Sequence, residues 1–227
     1  MQTIVVTAHL SYAGVFWPYG GPTLDGLLAA AHARKTNMDP TKMEPIELPM
    51  LARHESDRFY LASGPVYQRA ETELQYTNRK FPIPEAQMFA EPKFKRINVS
   101  AGAQKSYRLP REIIYPKDGV VYWFAVGEIE GVRSLLAWVE YLGKRRAVGL
   151  GRVERWEVSG AIAWDGFPLL CDGIPLRPLP FDMFESQVSH VVTDGMAPIS
   201  DPLRGVPSWH HHLQERAWLP NYGVGLV

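Results

Sequence analysis

Twice along this chain the spacing of apolar residues changes from a period of two to one of about 3.6, and that succession restricts its fold more than any other feature. Residues 3–10 place Ile4, Val6, Ala8 and Leu10 on one side and Thr3, Val5, Thr7 and His9 on the other, the alternation of a half-buried strand. After the turn-rich Trp17-Pro18-Tyr19-Gly20-Gly21-Pro22, Thr23 can cap a helix that runs to about Lys35. Leu24, Leu27, Leu28 and Ala31 recur there at i, i+3, i+4 and i+7, with Asp25 in the first turn. The pattern then repeats. Val120–Val126 is an apolar strand, followed by Gly131 and a helix carrying Val132, Leu135, Leu136, Val139 and Leu142 on one stripe. Gly143 closes that helix, and a last strand follows from about Val153 to Val158.

Between the two units, residues 37–55 are Pro-punctuated, and Arg58–Val66 reads as a second strand broken by Gly64-Pro65. The order is strand, helix, strand, insertion, strand, helix, turn, strand. That is the α+β, βαββαβ arrangement of a ferredoxin-like (RRM-like) core, here spanning residues 1–160. The insertion, at about 68–118, has little periodicity, and its section from Arg79 to Arg111 holds eight cations against Glu85 and Glu91. Phe81, Phe89, Phe94 and Tyr107 lie among those cations, so the segment offers both phosphate neutralisation and flat surfaces for unstacked bases. A solvated loop pinned by its aromatics is the competing account. From residue 161 onward, Pro168, Pro175, Pro178, Pro180, Pro198, Pro202, Pro207 and Pro220 interrupt every element, which predicts an irregular extension (161–227) packed on the core. Trp164, Phe167, Phe181, Phe184, Trp209 and Trp218 are its expected anchors.

Bulk composition excludes several classes. The 24 Lys and Arg equal the 24 Asp and Glu, so affinity for nucleic acid has to come from local clustering. The single Cys171 excludes an intramolecular disulfide and any multi-cysteine zinc site. No apolar run approaches the roughly 20 residues that cross a bilayer, and Met1-Gln2-Thr3 opens into a strand without a basic leader. These features predict a cytoplasmic protein with no membrane partner.

The densest charge lies in Leu142-Gly143-Lys144-Arg145-Arg146-Ala147-Val148-Gly149-Leu150-Gly151-Arg152-Val153. Glycines let peptide N–H groups approach an anion without a Cβ in the way, and Lys and Arg supply the long-range attraction, so this turn suits a phosphate chain. Nucleotide-cofactor motifs fail on spacing. Glu154 stands where a dinucleotide fingerprint needs its third Gly, and Leu150 stands where a P-loop needs Lys. A basic helix C-terminus closed by a Gly cap is the structural alternative, since cations there offset the helix dipole.

This arrangement resembles the RAMP superfamily of CRISPR effector subunits. Three features carry the likeness over residues 1–158: a first strand running into the Leu24-Asp25-Gly26-Leu27-Leu28-Ala29 helix, the long basic insertion, and the turn from Gly143 to Val153, similar to that superfamily's glycine-rich loop. Within it, the short single core is most similar to the type IV subunit that caps the 5′ handle of the guide RNA, the counterpart of the small Cas five proteins. The resemblance implies a non-catalytic CRISPR RNA-binding subunit of an antiviral ribonucleoprotein, without cofactor or metal. It implies the backbone-forming and large effector subunits as partners, and leaves target DNA open. Carried over by position, Lys144, Arg145, Arg146, Gly149, Gly151 and Arg152 belong to the loop. Lys93, Lys95, Arg96, Lys105, Arg108 and Arg111 belong to a thumb that folds over the RNA or the neighbouring subunit.

Some relatives cleave repeat RNA by attack of the 2′-hydroxyl, which needs a general base and a group on the attacking or leaving oxygen. A metal-independent endoribonuclease is therefore the alternative, with His32, His9 and Tyr12 as its candidates. Tyr122 and Phe124 share one face of their strand and Trp123 takes the other. An open face would let the pair stack on bases, but no Lys/Arg-Gly-aromatic signature accompanies them, and core burial is the expectation. His210-His211-His212 cannot easily converge on one ion and read as an exposed turn. Cys171 reads as a buried thiol, and Asp165, Asp172, Asp182, Asp194 and Asp201 read as turn residues.

Overall fold

The computed structural model describes residues 1–11, 14–17, 21–38, 46–79, 88, 100, 105–162, 167–188, 194–198 and 214–218. The first two predicted elements form where the residue spacing puts them, as β1 (Gln2–Leu10) and α1 (Leu24–Lys35). Thr23 takes the N-cap position with extended backbone, but its side chain makes no capping hydrogen bond. The insertion holds β2 (Arg69–Arg79) and β3 (Tyr107–Pro116), which pair in a two-stranded sheet. Residues Thr72–Ile113 form a compact unit of their own, here called the arm; the rest of the chain forms the body. After β3 come β4 (Val120–Gly127), α2 (Ile129–Leu136) and β5 (Val153–Gly160). No helix among the described residues is long and apolar enough to cross a membrane.

In the body, β1 is the middle strand of an antiparallel sheet ordered β4-β1-β5. Gln2 pairs with Gly127 and His9 with Val120 on one side; Ile4 pairs with Gly160 and His9 with Arg155 on the other. The alternation of β1 turns Ile4, Val6 and Ala8 into a core with Leu24 and Leu28 of α1 and Val132 and Leu136 of α2. Val121, Trp123 and Ala125 of β4 join the same cluster, and the Trp123 indole donates to the Pro22 carbonyl at 3.0 Å.

Three sequence expectations need correction. The strand predicted at 58–66 is a run of separate bridges, Ala62 with Ala125 and Val66 with Tyr122, both antiparallel to β4. Gly64-Pro65 is the cause. Pro65 has no N–H to offer, Gly64 donates to Leu176 of the C-terminal extension at 2.6 Å, and the Ser63 hydroxyl accepts the Phe124 N–H at 2.8 Å. The second helix stops at Leu136 instead of running to Gly143. From Val139 onward the backbone finds partners across the chain: the Trp156 indole donates to Val139, the Val153 N–H to Glu140, and the Leu142 N–H to the Gly151 carbonyl. Val139 and Leu142 are buried as their spacing implied, but from an extended segment.

The third concerns the extension, which is not irregular throughout. It contains a hairpin of β6 (Leu170–Cys171) and β7 (Ile174–Pro175), whose Asp172-Gly173 turn has both φ angles positive, at 49° and 74°. Next come β8 (Leu179–Pro180), a single helical turn α3 (Phe181–Phe184), β9 (Asp194–Pro198) and β10 (Gln214–Trp218). The last three strands pair in the order β8-β10-β9. Leu169, Leu170, Leu179 and Phe184 make a second apolar cluster with Phe59. Of the expected anchors, Phe181 stacks on Trp218 at 4.5 Å and Phe167 meets Phe124 edge-on at 5.9 Å; Trp164 and Trp209 lie outside the described residues.

Candidate nucleic-acid interface

Because α2 ends early, the basic turn is a stapled loop between an extended segment and β5, not a helix C-terminus. The dipole account of its cations therefore falls. Main-chain bonds fix its base: Leu142 N–H to Gly151 at 2.7 Å, Gly151 N–H to Gly14 at 2.9 Å and Lys144 N–H to Phe16 at 3.0 Å. Tyr141 and Arg152 form a further bridge.

Within the loop, Arg145 is left-handed at φ 68°, residues Arg146–Val148 make one right-handed 3-10 turn, and Gly149 is left-handed again at φ 85°. Such alternations aim successive peptide N–H groups toward a common point; here the Val148 and Gly149 N–H groups donate to the Arg145 and Arg146 carbonyls, at 3.0 and 2.9 Å. The glycines have different reasons for being there. A Cβ on Gly151 would sit 2.0 Å from the Leu142 carbonyl oxygen, so packing alone forbids one. On Gly149 it would meet nothing within 4 Å; there the positive φ favours glycine, and the space beside the backbone is open.

Lys144, Arg146 and Arg152 are exposed and make no side-chain hydrogen bond or ion pair among the described residues. Arg145 is half-buried and engaged. In the arm, Lys105 and Arg108 are exposed, Arg108 lies over the Tyr76 ring, and Arg111 is half-buried and engaged. Lys93, Lys95 and Arg96 lie outside the described residues.

Of the hydrolytic candidates, His9 sits on the sheet face opposite the helices. Its ring is 3.2 Å from Arg155 and 3.4 Å from Glu157, which pair with each other at 3.0 Å. His32 is half-buried on α1, and Tyr12 and the His210–His212 run lie outside the described residues. On the same open face Tyr122 is 39% exposed, against the expectation of core burial, because the helices cover only the Trp123 side. Phe124 is half-buried. Cys171 is half-buried with its thiol pushed up by desolvation and then by Asp172, so it rests protonated.

What supports the loop has no signature in the sequence. Trp17 is 6% exposed, packs beside Gly143 and meets Tyr67 at 5.5 Å between ring centroids. Trp17 opens the turn-rich run to Pro22, a context that marks loops and not buried anchors.

A family model described as CRISPR type IV associated protein Csf3 matches residues 42–165, more than half of the chain. The chain belongs to the Csf3 family. The matched span contains the arm, β4, α2, the basic loop and β5 of this Csf3 chain. The Leu24–Ala29 motif lies before it, so the likeness read from that helix is separate from the family match. A comparison with curated proteins matches none of them.

Proposed function

We propose that this Csf3-family protein is a non-catalytic RNA-binding subunit of a type IV CRISPR effector complex, holding the 5′ handle of the guide RNA. The backbone-forming and large subunits are its protein partners, and the cytoplasm is its compartment. The observation that carries this reading is the loop from Gly143 to Arg152. Its shape is fixed by main-chain bonds, Arg145 and Gly149 are left-handed on either side of a single 3-10 turn, and three of its cations stay solvated. Phosphate contacts of this kind supply grip, whereas sequence is read on bases. Support for a ferredoxin-like core comes from the sheet: β1 lies between β4 and β5, antiparallel to both, and the 62–66 segment bridges the far edge of β4. That order is the one a split βαβ pair generates.

The test is binding of repeat-derived RNA at several salt concentrations. With about five phosphate contacts to a single strand, log affinity should fall against log salt with a slope of about 3 to 4, at roughly 0.7 per contact. The triple variant Lys144→Ala, Arg146→Ala, Arg152→Ala, which removes the three solvated cations, should lower the slope by about 2. Unchanged affinity and slope in that variant would remove the loop from the interface.

A further inference from the structure

Tyr76 lies on β2 and Arg108 on β3, the two strands that pair in the arm. The guanidinium carbon of Arg108 stands 4.0 Å from the centroid of the Tyr76 ring, well inside cation–π range. The ring is nevertheless 47% exposed, and Leu74, two residues along and on the same side of the strand, is 55% exposed. Burial therefore does not account for this ring. A tyrosine backed by a cation on a two-stranded sheet, with much of its surface open, is half of a stack.

Its setting selects the other half. The arm, Thr72–Ile113, carries eight Lys and Arg against four Glu in its sequence, a net charge of +4, so its composition favours a polyanion over an apolar or cationic partner. A polyanion that also presents flat, electron-rich rings is a single-stranded nucleic acid. Resting on the RNA-binding reading above, we infer that Tyr76, backed by Arg108, is a base-stacking platform. One unstacked nucleobase lies against the exposed part of the ring while the flanking phosphates face Lys105 and Arg108. The platform is indifferent to base identity apart from stacking strength, so purines bind more tightly than pyrimidines.

The probe is a short single-stranded oligoadenylate RNA carrying one 2-aminopurine, titrated with the full-length protein. Stacking quenches its fluorescence. Tyr76→Ala should weaken binding by roughly five- to a hundredfold and abolish the quench, with an unchanged salt slope because no charge is lost. Tyr76→Leu, which keeps apolar bulk in the arm, should behave like the Ala variant, and Tyr76→Phe should bind like the wild type. Arg108→Ala should weaken binding and lower the salt slope by roughly 0.7. Unchanged affinity and quench in Tyr76→Leu, alongside weakened binding by the loop triple variant, would overturn the platform and leave the loop reading standing. Loss of binding in Tyr76→Phe equal to that in Tyr76→Leu would also overturn it, by assigning the effect to the hydroxyl. A wild-type protein that binds no RNA would overturn both.

Discussion

Arg177, from the C-terminal extension, places its guanidinium 3.3 Å from the carboxylate of Asp25 in the first turn of α1, with both side chains 2% exposed. The same guanidinium donates to the Tyr60 and Ala62 carbonyls at 2.9 Å each and lies 5.2 Å from the centre of the Phe59 ring. One side chain thus ties together the extension, the helix and the irregular segment beside β4. Arg suits the position because its rigid fork can serve several acceptors at once.

Breaking one side of a buried pair strands the other charge, at a cost of about 3 to 5 kcal/mol. Arg177→Met is expected to lose that much in urea denaturation. Asp25→Leu combined with Arg177→Met should lose less than the sum of the single variants. Strict additivity would show that the two residues do not act as a unit.

Gly149 and Gly151 should respond differently to alanine. Gly149→Ala meets only the left-handed backbone penalty of about 1 kcal/mol. Gly151→Ala must also displace the Leu142 carbonyl, and should cost about 2 to 4 kcal/mol more. Thermal melts of the two variants, compared with wild type, check the order.

His54 stacks on Phe59 at 4.8 Å and meets Phe184 edge-on, and this burial pushes its pKa below the ordinary value of 6.5, with Glu55 opposing more weakly. On acidification the unfolded chain therefore takes up the proton first. The stability this residue contributes is complete above about pH 6.5 and is lost as the pH falls toward the depressed folded value. Melting temperature should fall over that window in the wild type and fall less steeply in His54→Gln. Equal slopes would show that His54 is not the titrating group.

Repeat RNA incubated with the protein in EDTA should stay intact, and His9→Ala and His32→Ala should match the wild type. A cleavage product that disappears in either variant would assign the endoribonuclease activity instead.

What could be read in the sequence was what side-chain periodicity encodes. Ile4, Val6 and Ala8 fixed the inward face of β1, and Leu24 and Leu28 fixed that of α1. Val139 and Leu142 were correctly read as buried but wrongly as helical, because two apolar residues three apart satisfy a helix stripe as well as an extended segment pinned by Gly151 and Trp156. The cations of the loop were legible from composition, whereas its geometry was not, since a left-handed Arg145 has no signature of its own. Arg177 was invisible for a similar reason: a lone arginine between prolines gives no hint of a carboxylate 152 positions earlier.

The staples at the root of the basic loop, Leu142 to Gly151, Gly151 to Gly14 and Lys144 to Phe16, all run between peptide groups. None of them depends on which side chain residue 144 or residue 146 carries. Those two positions can therefore be recoded, to glutamine, to glutamate or to a crosslinkable residue, without dismantling the scaffold. This makes the loop a natural place to vary charge, or to attach a probe, while the fold stays as it is.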